Sequence, residues 1–114
     1  MNISSLKATN MELTEAIRTY VNEKLALLDD LRSKGEFVVV SHMEVGKSSQ
    51  HHKKGPYYFA EIDLQVQKNL FRAREEAEDL YAAIDLAKDE LKRQLLNRKD
   101  RYVSDQHKPR PGKE

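Results

Sequence analysis

Apolar residues recur along this chain with two different periods, and the switches between them outline its elements. Residues 3–8 read as a short strand. Thr14 then offers a hydroxyl to the free amides of a first helical turn. Behind it Ile17, Val21, Leu25 and Leu28, spaced by four, four and three, make one helix face. Gly35 closes the link after this helix, and the β-branched run from Phe37 to Val45 reads as a strand. The segment from Gly46 to Pro56 is polar with breakers at its ends, a long hairpin loop.

Period two returns at Tyr58, Ala60, Ile62, Leu64 and Val66, which alternate with Phe59, Glu61, Asp63 and Gln65. One charged side means an antiparallel strand with one wet face. Lys68-Asn69 is the expected turn and Leu70 to Arg74 the fourth strand. An amphipathic helix then opens on the acids Glu75, Glu76, Glu78 and Asp79 and buries Leu80, Ile84, Ala87, Leu91 and Leu95. Acids at its start and bases at its finish suit the helix dipole. From Tyr102 on, Pro109, Pro111, Gly112 and the loss of apolar residues predict a flexible tail.

The order β-α-β-β-β-α leaves one apolar sheet face to be covered. Both helices are therefore expected on that face, an α+β two-layer sandwich with a four-stranded sheet, like a double-stranded-RNA-binding domain. Residues 1–102 form the domain and 103–114 the tail. At 114 residues one modest core is the expectation. The absence of cysteine excludes disulfides and thiolate metal sites. No apolar run approaches the roughly 20 residues of a membrane span, and Met1-Asn2-Ile3-Ser4-Ser5 lacks an export signal.

Charge changes the picture only when it is divided. The whole chain carries a formal +1. Residues 57–87 hold three Lys/Arg against seven Asp/Glu, net −4, whereas residues 88–114 hold nine against five, net +4. Such segregation makes a local positive field of the kind a phosphate backbone senses. Lys88, Lys92 and Lys99 share a stripe of the second helix, Arg93 lies about 100° round from Lys92, and Arg98 and Arg101 add to the basic end. Arg18 and Lys24 of the first helix could adjoin them. The plainer interpretation is a solvated, dipole-matched helix face. Arginine forks to phosphates and stacks on bases, which favours Arg93 and Arg98 as contacts.

Other motifs yield less. Gly46-Lys47-Ser48 resembles the end of a P-loop, but Ser41 stands where the first glycine is needed and no helix follows. His51-His52-Lys53-Lys54, even with His42 as a third ligand, is a poor metal site because the lysines repel a cation. It is either a solvated hairpin tip or a basic loop that touches RNA. The acids from Glu75 to Asp79 are capping and dipole groups with no nucleophile or metal cage nearby. Tyr57, Tyr58 and Phe59 pack or edge the sheet, with base stacking as the alternative.

Three stretches together resemble the ribosome hibernation-promoting factor and ribosome-associated inhibitor family. They are Lys7-Ala8-Thr9-Asn10-Met11-Glu12-Leu13-Thr14-Glu15-Ala16-Ile17-Arg18, Glu76-Ala77-Glu78-Asp79-Leu80-Tyr81-Ala82-Ala83-Ile84-Asp85, and Arg93-Gln94-Leu95. The likeness spans about residues 1–101 in order. It implies the same β-α-β-β-β-α plan in a bacterial cytoplasmic protein that is not an enzyme and takes no cofactor or metal. The implied partners are the small ribosomal subunit and its ribosomal RNA, with no DNA or membrane partner and a monomer off the ribosome. The implied action is to occlude the messenger and transfer RNA channel between head and body and inhibit translation in idle or stressed cells. By position, Arg18 and Lys24 fall on basic positions of the family's first helix, and Arg93 and Lys99 on those of the second. Lys92 and Arg98 are basic neighbours. Glu90 stands where family members commonly carry a lysine, and the length matches a short form without the separate C-terminal domain of long forms. The competing functional class is an RNA-shape-binding or protein-interaction module of the same fold, not specific to ribosomes.

Overall fold

The computed structural model describes residues 3–29, 38–48 and 57–107, without the side chains of 38, 39 and 98–107. The elements are β1 (Ser5–Thr9), α1 (Glu15–Ala26), β2 (Val38–Lys47), β3 (Tyr58–Val66), β4 (Asn69–Ala77) and α2 (Leu80–His107). The expected order holds, in one sheet ordered β1-β2-β3-β4.

The central pairs β2–β3 and β3–β4 are antiparallel, as short connections require. β1 runs parallel to β2, because the α1 crossover returns the chain in the same direction. Ser4 and Ser41 fasten this pair reciprocally, each backbone amide donating to the other's Oγ, at 3.1 and 3.2 Å. The exchange satisfies Ser41, the one buried polar residue among those described.

Alternation along the strands sets the two faces. Met43 and Val45 of β2, Ala60, Ile62, Leu64 and Val66 of β3 and Ala73 of β4 point to one side. Ile17, Val21 and Leu25 of α1 and Leu80, Ala83, Ile84, Ala87, Leu91 and Leu95 of α2 close over them. Burial of these side chains, worth roughly 1.5–3 kcal/mol for each large one, holds the two layers together. Thr14 caps α1, its Oγ1 accepting from the Ile17 amide at 3.2 Å. Leu28 is buried although α1 ends at Ala26, its amide bonding back to the Leu25 carbonyl at 3.0 Å.

Four boundaries differ from the sequence expectation. β4 continues to Ala77, so Glu75 and Glu76 are strand residues paired with Ala60 and Phe59 rather than the start of a helix. Of the four acids only Asp79 caps α2, accepting from the Ala82 amide at 3.0 Å. The hairpin turn is Gln67-Lys68, one residue earlier than Lys68-Asn69, and Gln67 takes a positive φ of 53°. β2 extends through Gly46 to Lys47, which shortens the expected loop. α2 persists past Tyr102 to His107, since the first breaker is Pro109 and a residue preceding proline resists helical geometry.

Gly46 is required where it lies. A Cβ there would stand 2.3 Å from the Thr9 carbonyl oxygen and 3.1 Å from the Phe59 ring. The glycine lets β1 approach and seats Phe59, whose ring in turn carries the Arg74 guanidinium 4.3 Å above it.

Candidate nucleic-acid interface

The basic residues anticipated from the sequence separate into distinct environments. Lys24, near the end of α1, faces α2. Its Nζ lies 3.7 Å from Asp85 Oδ1 and 5.1 Å above the Tyr20 ring. Tyr20 donates its hydroxyl to the same Asp85 oxygen at 2.7 Å and meets Tyr81 edge-on, ring centroids 4.7 Å apart. The bond to Asp85, aided by burial and the carboxylate charge, pushes the Tyr20 hydroxyl up to about 12. Tyr20, Lys24, Tyr81 and Asp85 therefore form one bridge between the helices.

Lys88 and Lys92 continue this flank of α2, three and seven residues beyond Asp85. Lys88 pairs with Asp89 at 2.7 Å, its stem largely covered. Lys92 is exposed and has no acidic partner among the described residues. Lys99 follows on the same stripe of the α2 backbone, whereas Arg98 lies about 100° and Arg101 about 160° round from it.

Arg93 points elsewhere, about 100° round the helix from Lys92. It is held in a fork by Glu90, with Nε to Oε1 at 2.9 Å and Nη2 to Oε2 at 2.6 Å. Gln94 also donates to Glu90 Oε2, at 2.9 Å, and to the Arg72 carbonyl on β4 at 2.8 Å. The bonds from Arg93 and then Gln94 hold the Glu90 carboxyl down at about 2, and Glu90 raises the Arg93 guanidinium in turn. Arg18 lies about 120° round α1 from Lys24, and its partner is Glu15 at 3.9 Å. The structure thus joins Lys24 to the Lys88–Lys92 stripe and places Arg18 and Arg93 apart from it. His51, His52, Lys53 and Lys54 lie outside the described residues.

The opposite sheet face, which neither helix covers, is charged but internally matched among the described residues. Arg72 meets Asp63 at 2.6 Å, Arg74 meets Glu61 at 3.2 Å, and Thr9 Oγ1 donates to Glu44 at 2.5 Å. His42, considered above as a metal ligand, instead hydrogen-bonds Ser5 through Nδ1 at 2.5 Å. No cluster of metal-ligating side chains occurs among the described residues, and no helix among them is long and apolar enough to cross a membrane. Sequence reasoning missed Tyr20 and Asp85, whose meeting is a tertiary event. It also missed the Glu90–Arg93 fork, although the i, i+3 spacing was a usable signal.

Fold and surface define a small α+β domain whose helix pair presents basic side chains along one flank. The chain belongs to the Sigma 54 modulation protein / S30EA ribosomal protein family, whose model matches residues 5–103. It is 35% identical over 113 residues to a ribosome hibernation promotion factor of Deinococcus radiodurans, covering 97% of this chain and 56% of that protein. A ribosome hibernation promoting factor of Azotobacter vinelandii is 31% identical over 107 residues, covering 94% of this chain and 92% of that one. The chain thus spans about half the length of some relatives and nearly all of another. Among solved structures, the Thermus thermophilus Protein Y N-terminal domain is similar with a TM-score of 0.72 and 36% identity, over 85% of this chain and 98% of that one. A ribosomal subunit interface protein from Coxiella burnetii shares the fold, with a TM-score of 0.68 at 16% identity.

Proposed function

We propose that this protein is a cytoplasmic ribosome hibernation factor, a binding protein rather than an enzyme, that docks on the small ribosomal subunit and inhibits translation. Family membership supports ribosome association. The observation that carries the choice of surface is the contrast in charge pairing: the open sheet face neutralises itself, whereas α2 carries basic residues in excess of its acids from Lys88 onward. Lys24, Lys88, Lys92 and Lys99 are the foremost phosphate contacts in this reading, with Arg98 and Arg101 extending the track along α2. Arg18, Lys88 and Arg93 make such contacts by leaving Glu15, Asp89 and Glu90, and His51, His52, Lys53 and Lys54 are further contacts expected from the sequence. In this reading the basic helix pair tracks ribosomal RNA within the messenger and transfer RNA channel.

Sucrose-gradient co-sedimentation tests this directly. The protein is expected to travel with the small subunit at low salt and to leave it as salt rises, because phosphate contacts release counterions. A protein that stays at the top at every salt, or that follows only the large subunit, overturns the proposal. Binding of naked RNA duplex as tight as binding to the subunit would instead favour a general RNA-shape binder.

A further inference from the structure

The bridge between the helices has a consequence for binding that rests on the ribosomal reading above. Lys24 alone of the candidate contacts on α1 faces α2, and three separate observations fix it there. Asp85 Oδ1 lies 3.7 Å from its Nζ, the Tyr20 ring lies beneath it at 5.1 Å, and the Tyr20 hydroxyl pins the same carboxylate oxygen at 2.7 Å. Tyr20 is itself braced by Tyr81 from the first turn of α2. A lysine has a long, entropically free stem; this one is tethered to the helix that carries Lys88 and Lys92.

We propose that Tyr20 and Asp85 are positioning residues for ribosome binding, setting Lys24 of α1 at a fixed spacing from the Lys88–Lys92 stripe of α2 so that neighbouring phosphates are met by both helices at once. The Asp85 carboxylate is shared between the tyrosine hydroxyl and the ammonium. It therefore orients Lys24 without enclosing it, and the lysine side chain keeps 30% of its surface in solvent. Preorganisation of this kind lowers the ordering cost of a contact instead of adding a new one.

The test is a double-mutant cycle read by salt dependence. Small-subunit affinity is measured from low to moderate salt for the full chain, Lys24→Ala, Tyr20→Phe and the double variant, with thermal melts as a fold control. Loss of Lys24 should lower the salt slope by about 0.7–0.9, the value of one phosphate contact. Tyr20→Phe changes no charge and keeps the ring. It should nevertheless weaken binding roughly fivefold to tenfold, in keeping with the net loss of one ordinary hydrogen bond, and should lower the slope in the same direction. In the Lys24→Ala background it should do nothing. If Tyr20→Phe does not fold, Asp85→Asn replaces it and is read through its coupling to Lys24→Ala alone, because it also removes a negative charge. An equal effect of Tyr20→Phe with and without Lys24, or an unchanged slope, makes the bridge merely structural and overturns the inference. A full chain that binds no small subunit, or a Lys24→Ala variant that binds with unaltered affinity and slope, overturns the phosphate-contact reading beneath it, which is a different result.

Discussion

The two outer surfaces of this domain, the open face of the sheet and the α1–α2 flank, are both rich in charge, yet they use it in opposite ways. On the sheet, strand register places Lys7, Arg72 and Arg74 among Glu44, Glu61, Asp63 and Glu76, three cations among four carboxylates. The arginines sit directly across from Asp63 and Glu61, so the field they make closes on itself. On α2 from Lys88 to Arg101 the sequence carries six cations and three acids, Asp89, Glu90 and Asp100. Asp89 and Glu90 pair with Lys88 and Arg93, which leaves the helix with cations in excess. Charged residues by themselves therefore do not mark an interface; uncompensated charge on a rigid element does.

The largest expected effect breaks this contrast outright. Reversing Lys88 and Lys92 together to glutamate should cost more than about a hundredfold in small-subunit affinity at moderate salt. Arg72→Gln on the sheet should leave affinity within about twofold, because an exposed, internally paired cation is not part of the interface. Equal losses from both would erase the distinction between the surfaces. Next in size is Gly46→Val. The added side chain meets the Thr9 carbonyl, and the melting temperature should fall by roughly 10 °C or more, while the folded fraction still binds. That result would separate what the sheet does for stability from what the helices do for binding.

Glu90→Gln sharpens the comparison within α2. Removing the carboxylate frees the Arg93 fork and should tighten binding about threefold at low salt, an advantage that shrinks as salt screens it. Weaker binding would mean that Glu90 presents Arg93 to the ribosome. The smallest effect is spectroscopic. One of the five tyrosines should ionise near pH 12, and Asp85→Asn should return it toward the ordinary phenol value. The sign follows from the raised value: folding favours the neutral phenol, so this contribution to stability is complete below about pH 10 and lost as pH rises through 12.

What the sequence made legible is what local spacing determines. The Thr14 cap, the Ile17–Val21–Leu25 face and the Tyr58–Val66 alternation each reflect a period that the backbone imposes on nearest neighbours. Two acids shortly before Leu80 satisfy helix-dipole rules, so Glu75 and Glu76 read locally as the start of a helix. What keeps them in β4 is pairing with Ala60 and Phe59, about fifteen residues away in the chain, which no local rule sees. The same applies to the site. Lys88, Lys92 and Lys99 were visible as a stripe, whereas the role of Asp85 needs Tyr20 and Lys24 brought to it from another helix. The Gly46–Phe59–Arg74 stack likewise joins three strands at one point.

The most direct measurement is small-subunit affinity as a function of salt for the full chain, for Lys24, Lys88 and Lys92 each changed to alanine, and for Arg72→Gln. The account predicts that each lysine substitution lowers the slope by about 0.7–0.9 while Arg72→Gln leaves it unchanged. A slope that falls with Arg72 and stays constant through the three lysines would put the ribosome on the sheet and contradict it.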